Sequence, residues 1–278
     1  AIPYVKKPIS VDPGIANYYA STFVSGSDQA SVIVKTREGR PIKIEGNKLS
    51  SVSGGGTNAQ IESSVLSLYD QERLTGPTID GTAVTWGDID VKIKKTLSSA
   101  TEKIYLVSNT ISSPSTKMAI EAFQTKYPNV QHVCYDQVSV SGSLDANMIV
   151  FGKRVLPNYD YSKAKTIVSF ESDFLGTGVN NTANNRQFAR TRKLSETKKE
   201  MSRLYSFESI LSLTGANADY RAPIKPSEQG LYVANLYNLI AKGTGGETIQ
   251  VAAIDNDYLN KAAHDLLNSK GGSIVISG

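Results

Sequence analysis

The sequence is poor in the residues that most often carry catalysis or bind metals. Its 278 residues include one cysteine, Cys134, and two histidines, His132 and His264, which lie far apart in the chain. A single cysteine excludes an internal disulfide and any all-cysteine metal site. A zinc site needs several ligands, and no spacing of these residues supplies them. We therefore expect Cys134 to be a small apolar core residue on a strand and the histidines to be polar surface residues.

Long apolar runs and dense charge are also missing. No apolar run reaches the roughly 18 residues that a membrane span needs, and no signal peptide is recognisable. Lys and Arg total 30 and Asp and Glu total 26, and they are spread along the chain. Without a dense basic run interleaved with aromatic residues, the sequence does not favour nucleic-acid binding. The tightest basic cluster, at 190–199, is typical of a solvated helix face.

Catalytic motifs are equally scarce. The chain contains no Gly-x-Ser-x-Gly elbow, no Cys–His spacing and no HExxH helix. The glycines of SGGGTN (53–58) lack the Gly-Lys-Ser/Thr ending of a phosphate loop and do not follow a buried strand. The residues alone therefore point to no catalytic side chain and no metal ligand.

The first part of the chain predicts a small β-rich unit. Residues 1–16 hold three prolines and a glycine and are typical of an extended arm. SVIVKTREGRPIKIEG (31–46) alternates apolar and polar residues around a charged turn, which predicts a hairpin. A loop at 47–58 precedes AQIESSVLSLYD (59–70), whose apolar spacing predicts a helix. We place this unit, with its arm, at residues 1–82.

The rest of the chain alternates strands with helices. Asp88 is predicted to cap a helix at 89–99, and Ser113 with Pro114 to begin another. Predicted strands lie at 103–108, 129–136, 164–175, 205–211 and 272–277, and further predicted helices at 143–152, 184–195, 226–243 and 256–271. This alternation predicts an α/β domain at 83–278, an open and mostly parallel sheet with helices on both faces. Because GGSIVISG (271–278) is typical of a buried strand, we expect this domain to be truncated and the polypeptide to continue beyond residue 278.

Two loops of this α/β domain contain candidate ligand-binding residues. In LTGANADYRAP (213–223), a glycine-containing loop between strand and helix, the candidates are Thr214, Gly215, Asn217, Asp219 and Arg221. Loops at strand carboxyl ends line the ligand crevice of open α/β sheets, and helix amino-termini there attract anions. The alternative is that Asp219 and Arg221 form a structural pair or cap that holds the loop.

The second loop is ESDFLGTG (171–178), which follows a predicted strand. Its candidate residue is Asp173. The carboxylate can either meet a ribose hydroxyl or cap the next helix.

Several stretches of the amino-terminal unit resemble the molybdopterin oxidoreductase family. They are SVIVKTREGRPIKIEGN, GGGTN and LSLYDQERLTGP. The matching positions are Glu38-Gly39, Glu45-Gly46, Leu68-Tyr69, Asp70, Arg73-Leu74 and Pro77. In many members four cysteines of this unit hold an iron–sulfur cluster, which needs thiolate ligands. The matching stretches here, YYASTFVSGSDQA (18–30) and GGGTN (54–58), contain no cysteine, so the resemblance implies a unit without that cluster.

Later segments resemble a narrower group. SPSTKMAIEAF, FGKRVLPNYDYSKAKTIVSFESDFLGT and LSLTGANADYRAPIKPSEQ are similar to the large iron–sulfur subunits of bacterial alternative complex III, a quinol:electron-acceptor oxidoreductase. Such a subunit carries a molybdopterin-oxidoreductase-like half without molybdenum cofactor, followed by a half that holds the clusters. In cofactor-bearing relatives the region of 213–223 faces the pterin nucleotide, so the resemblance implies a relic pocket there.

The resemblance implies a non-catalytic structural domain, without its own cluster or molybdenum cofactor, within an oxidoreductase. Its partners would be other subunits of a membrane-bound electron-transfer complex on the periplasmic side of the inner membrane. Two alternatives remain, a molybdopterin-dependent oxidoreductase fragment that binds the pterin cofactor and a nucleotide-binding module. Two roles remain possible for four tyrosines, either contact with partner subunits or half-buried packing on a helix. These residues are Tyr18, Tyr19, Tyr232 and Tyr237.

Overall fold

A computed structural model describes residues 6, 8–26 and 28–278. Residues 1–5 and 7 of the predicted arm lie outside the described residues, and residues 8–15 form turns without a regular element. The chain then forms a three-stranded antiparallel sheet, a two-stranded parallel unit and a four-stranded parallel sheet. The fold is therefore broadly α/β, as predicted.

The first sheet contains the predicted hairpin and one strand that was not predicted. Its strands are β1 (Ala16–Ser25), β2 (Asp28–Arg37) and β3 (Arg40–Gly46), in the order β1-β2-β3. Glu38 and Gly39 join β2 to β3 with φ angles of 53° and 78°, the left-handed pair that suits a two-residue hairpin turn. β1 escaped prediction because ANYYASTFVS does not alternate apolar and polar residues.

The helix predicted at 59–70 is shorter and tighter in the structure. It consists of α1 (Ala59–Ser63) followed by a 3-10 turn at Ser64–Leu68. Ile61 and Val65 are buried against β2 and β3 in a small core, whereas Leu68 is exposed. The Ser64 hydroxyl donates to the Ile61 carbonyl at 2.7 Å, a side-chain bond that competes with helical backbone bonding.

A middle segment follows, with little of its surface buried. Its elements are β4 (Thr78–Ile79), β5 (Thr82–Ala83), α2 (Trp86–Ser99), β6 (Ile104–Ser108), α3 (Pro114–Lys126), β7 (Val130–Cys134) and α4 (Ser141–Phe151). The start of α3 at Ser113 and Pro114 is confirmed. The predicted cap Asp88 is wrong, since Thr85 is the N-cap of α2 and Asp88 bonds back to it in a capping box.

The strands β6 and β7 pair with each other, in parallel, and with no other strand of the described chain. The prediction placed them in one open sheet with the later strands, and the structure shows that arrangement only in part. β6 is also less buried than predicted, because Tyr105 and Val107 are 56% and 64% exposed. The helix α3 packs on β7, and the face that carries Tyr105 and Val107 stays open.

The last part of the chain forms the four-stranded sheet. Its elements are a 3-10 turn at Tyr161–Lys163, β8 (Thr166–Phe170), α5 (Asn181–Arg192), β9 (Arg203–Glu208), α6 (Leu213–Ala216), β10 (Tyr220–Pro223), a 3-10 turn at Pro226–Glu228, α7 (Gln229–Thr244), α8 (Asp257–Asn268) and β11 (Ser273–Ser277). All strands run parallel, in the order β10-β9-β8-β11. The long helix predicted at 226–243 ends at Gly245, which has a φ of 74° and serves as a left-handed cap.

Helices cover both faces of this sheet. On one face α7 and α8 bury Leu236, Leu259 and Leu266 against Val168, Phe170, Tyr205 and Phe207. On the other face α5 buries Phe188 with Ile167 and Leu204. Because both faces are covered, every residue of β8 and every residue of β9 except Arg203 is buried, as expected of strands inside a parallel sheet.

Candidate functional site

The strands β8 and β9 end in acidic residues at the same edge of the sheet, here called the carboxyl edge. Glu171 and Asp173 follow β8, and Glu208 is the last residue of β9. The carboxyl ends of parallel strands are where open α/β sheets bind ligands. The hydrogen bonds of these carboxylates therefore decide what the carboxyl edge can do.

The Asp173 carboxylate bonds to two threonines of its own chain. One oxygen accepts from the Thr214 amide and hydroxyl, both at 2.9 Å, and the other accepts from the Thr177 amide at 2.9 Å and its hydroxyl at 3.3 Å. Burial raises the pKa of Asp173, but the hydrogen bonds from Thr214 and Thr177 together outweigh burial and hold it below its ordinary value. Asp173 thus ties its own loop to the first turn of α6, and α5 is preceded instead by Asn180.

Glu208 is the most buried carboxylate of the carboxyl edge. Its side chain, 5% exposed, accepts from Arg221 Nε at 2.5 Å, and Ser212 donates its hydroxyl at 2.6 Å and its amide at 3.3 Å. Burial raises the pKa of Glu208, but the bonds from Ser212 and Arg221 outweigh it, so the group is ionised. Gly215 packs directly on this carboxylate, where a Cβ would overlap with it.

Asp219 lies at the opposite end of the sheet. It accepts two bonds from Arg192, at 2.8 and 2.9 Å, and a third from the Leu204 amide at the start of β9. Burial raises the pKa of Asp219, and these bonds outweigh it to leave a lowered pKa. The alternative that Asp219 and Arg221 pair with each other is wrong, because Asp219 precedes β10 and binds Arg192, whereas Arg221 lies within β10 and binds Glu208.

The six predicted site residues therefore do not form one pocket. Asp173 and Thr214 are in contact, and Gly215 and Arg221 both touch Glu208 instead. Asn217 is exposed and donates to the Leu213 carbonyl. Sequence reasoning missed Glu208, although a glutamate ending the apolar run of β9 is a signal of a buried charge that needs a cation.

The basic cluster at 190–199 is not a simple helix face. α5 ends at Arg192, and that side chain pairs with Asp219. Lys198 lies in the following loop and donates to the carbonyls of Arg190 and Thr191 at 3.0 and 2.7 Å. Part of the basic charge thus holds this loop to the helix end, while Lys193 and Lys199 are exposed.

A cleft of about 620 Å³ opens at the carboxyl ends of β6 and β7. Its other wall is formed by the β1–β2 turn and the start of α5. Four carboxamide side chains line it and make no hydrogen bond within the described chain; they are Gln29, Asn109, Gln137 and Asn180. Tyr135 and Val138 supply apolar surface. We call this feature the β6–β7 cleft.

Two hydrogen bonds join the residues that follow β6 and β7 at the cleft. The Thr110 amide and hydroxyl donate to Asp136, at 2.7 and 2.5 Å. These two bonds, the hydroxyl first, lower the pKa of Asp136 below its ordinary value. Since Thr110 follows β6 and Asp136 follows β7, this bond fixes the spacing of the two strand ends.

The residues around Cys134 differ from their prediction. Cys134 is exposed at the end of β7, so the prediction of a core residue is wrong. His132 Nε2 lies 2.8 Å from the Ser108 hydroxyl and 3.8 Å from the Cys134 sulfur. Within the described residues, no group of three or more His, Cys, Asp or Glu side chains is placed to hold a metal ion.

The four tyrosines considered as interface residues differ in how exposed they are. Tyr18, Tyr19 and Tyr237 are at least half exposed, whereas Tyr232 packs against the core beneath α7. In the part of the chain that the structure describes, no helix is both long and apolar enough to span a membrane.

Comparison of the chain with family models and with curated proteins finds no match. The resemblance therefore rests on the sequence segments alone.

Proposed function

We propose that this chain is a non-catalytic, molybdopterin-oxidoreductase-like domain that docks other subunits of a respiratory electron-transfer complex. It would sit on the periplasmic side of the membrane, attached through its partners, with clusters and haems held elsewhere in the complex. The segment resemblances motivate this proposal. The structural observation that carries it is the apolar surface of the middle segment.

Several large apolar side chains of this segment are exposed. Neither α2 nor α4 buries a single side chain. Ile149 and Phe151 on α4 are 85% and 69% exposed, and Trp86 at the start of α2 is 70% exposed. Contiguous apolar patches on folded proteins mark interaction sites. The β6–β7 sheet also has one open face, which parallel sheets usually bury.

The hydrogen bonds at the carboxyl edge also support a structural role. Asp173 and Glu208 already accept bonds from side chains and amides of their own chain. A ligand hydroxyl would have to displace bonds that also fix Thr214 and Arg221. At Asp173 and Glu208 the arrangement therefore favours rigid packing over ligand exchange.

The docking proposal predicts a charge-sensitive interface on α4. Phe151→Asp should strongly reduce the haem absorbance that co-purifies with the tagged protein from its native membrane, because a carboxylate at an apolar interface must be desolvated. Asn260→Asp, which adds the same charge at an exposed position of α8, should leave the haem yield unchanged. Equal yields for both variants would reject this surface as the docking site.

Elemental analysis separates this proposal from a molybdopterin-dependent enzyme. We expect the purified protein to contain molybdenum far below one atom per chain. A content near one per chain, with pterin released on denaturation, would instead establish the enzyme.

A nucleotide-binding module is the second candidate, and the β6–β7 cleft favours it. Unpaired carboxamides such as Asn109 and Gln137 can match the donor and acceptor edges of a nucleobase, and Tyr135 offers a ring. A thermal-shift screen with nucleoside monophosphates and triphosphates tests this, since binding raises the melting temperature by mass action. A shift that Gln137→Ala removes would support the module, and no shift at millimolar nucleotide would dismiss it.

A further inference from the structure

The strand β1 has one paired side and one open side. It pairs along its whole length with β2, from Ala16 opposite Arg37 to Ser25 opposite Asp28. No other described strand pairs with it. The open side presents alternate backbone N–H and C=O groups, which form a template for another strand. We call residues 16–25 along this side the β1 edge.

The two outer strands of the sheet differ sharply in chemistry. β3 carries Arg40, Pro41, Lys43 and Glu45 within seven residues. Charged side chains and proline are the usual means by which edge strands avoid pairing. β1, ANYYASTFVS, has ten residues without a charge or a proline. The fold therefore protects one edge of this sheet and leaves the other available.

β1 is exposed on both faces as well as along its edge. The register places Tyr19 opposite Val34 and Tyr18 opposite Lys35, so the two tyrosines point to opposite faces. Tyr19 is nevertheless 53% exposed and Tyr18 57% exposed. The small core under the sheet reaches Phe23 but not the rest of the strand. An uncharged, aromatic strand in this position is typical of one that is covered in an assembly.

Charge at one end of the β1 edge indicates what its partner carries. Lys35 and Arg37 lie on β2 beside Tyr18 and Ala16, and Lys35 Nζ stands 5.8 Å from the Tyr18 ring centre. Arg40 faces Arg37 across the hairpin. The acidic residues near this end are Glu38 in the turn and Asp12, whose carbonyl accepts from the Ile15 amide just before β1. At the far end Asp28 is buried and already bonded to Thr182. The Ala16 end is therefore net positive.

We propose that the β1 edge binds an extended segment of another polypeptide as a fourth strand. The segment is uncharged along its length, because β1 carries no cation or anion that could pair with a charge on it. It carries a carboxylate where it lies beside Ala16 and Tyr18. Backbone bonds supply the affinity in this mode, and alternate side chains supply the specificity. This surface is separate from that of α2 and α4, so either proposal can fail alone.

Designed peptides test the proposal on the intact protein. The probe is a fluorescein-labelled ten-residue peptide of alternating threonine and valine that ends in glutamate, and its matched control ends in lysine. In antiparallel addition the carboxyl-terminal residue lies beside Ala16. We expect the glutamate peptide to bind more tightly by fluorescence anisotropy and to slow hydrogen–deuterium exchange at residues 16–25. Weaker binding of the glutamate peptide than of the lysine peptide would overturn the charge assignment.

Backbone bonding is tested separately from side-chain contact. N-methylation of alternate peptide amides should weaken binding by on the order of tenfold or more, since several edge hydrogen bonds are lost together. Unchanged binding would show that side chains alone hold the peptide and would overturn strand addition.

A pair of proline variants completes the test on the protein side. Successive N–H groups of a strand alternate in direction, so of Ala20→Pro and Ser21→Pro one removes a bond to β2 and the other removes an edge donor. The variant that lacks the edge donor should have the melting temperature of the wild-type protein but should no longer bind the peptide. If neither peptide binds the wild-type protein, or if sedimentation shows a dimer protected at residues 16–25, the assignment to a foreign strand is wrong.

Discussion

Replacing Gly215 with alanine would disturb the buried charge pair of the carboxyl edge. The new Cβ would lie 2.7 Å from Glu208 Oε2 and closer still to Cδ and Oε1. Real Cβ atoms do not approach other atoms so closely, so either the carboxylate or the backbone of α6 must move. The carboxylate is not a free chain end, because Arg221 and Ser212 hold it and its side chain is 5% exposed.

The expected cost follows from what the displacement breaks. Separating a buried ion pair costs about 3–5 kcal/mol. Arg221 is 29% exposed and regains solvent when it loses its partner, so we expect the lower end, about 3 kcal/mol. For a domain of this size 1 kcal/mol changes the melting temperature by about 2–4 °C, which predicts a loss of about 6–12 °C.

A second glycine provides a matched control. Gly230 lies in α7, and a Cβ there would meet no atom within 4 Å. Gly230→Ala should therefore stabilise the protein by about 0.5–1 kcal/mol, because glycine is costly in helices. Both variants are compared by urea unfolding. We expect Gly215→Ala to destabilise the protein, and we expect the additional substitution Glu208→Asp to restore part of the lost stability, because the shorter side chain leaves room for the new Cβ. Equal stability of Gly215→Ala and Gly230→Ala would refute the reasoning.

Two further perturbations test other buried polar contacts. Thr182→Val removes the hydroxyl that donates to Asp28 at 2.5 Å and should cost about 2 kcal/mol, seen as faster hydrogen exchange in β2. The exposed control Thr125→Val should change stability by less than about 0.5 kcal/mol. The lowered pKa values of Asp173, Glu208 and Asp219 stabilise the fold above the ordinary carboxyl pKa, and this stability is lost as pH falls through the lowered values. The urea midpoint should therefore hold down to about pH 5 and fall below about pH 4, and a constant midpoint down to pH 3 would contradict this.

Local features of the fold could be predicted from local sequence. The hairpin at 31–46 and the start of α3 at Ser113 depend on turn and capping residues close to one another in the chain. Most strands and helices after residue 100 were also found near their predicted positions, but α6 and β10 lie within 213–223, which was predicted to be a loop. The strand β1 was missed because its exposure on both faces removes the alternation by which strands are recognised.

The candidate site could not be predicted in the same way. The sequence indicated Asp173, Asp219 and Arg221, but the partners of these residues are 41, 27 and 13 positions away in the chain. Which acid meets which base depends on the order of strands in the sheet. Asp219 and Arg221 are two residues apart and still bind different partners, because Asp219 precedes β10 and Arg221 lies within it.

The amino-acid sequence by itself determined where the hairpin turns, roughly where most helices lie and that the chain alternates between strand and helix. These properties follow from backbone conformation and side-chain spacing within a few residues. Only the tertiary structure decided that β6 and β7 stand apart from β8–β11, that β1 presents an open edge and that Glu208 is the buried partner of Arg221. Those outcomes depend on burial and on pairing between distant segments, and the free energy of such contacts is not encoded in any short stretch of the chain.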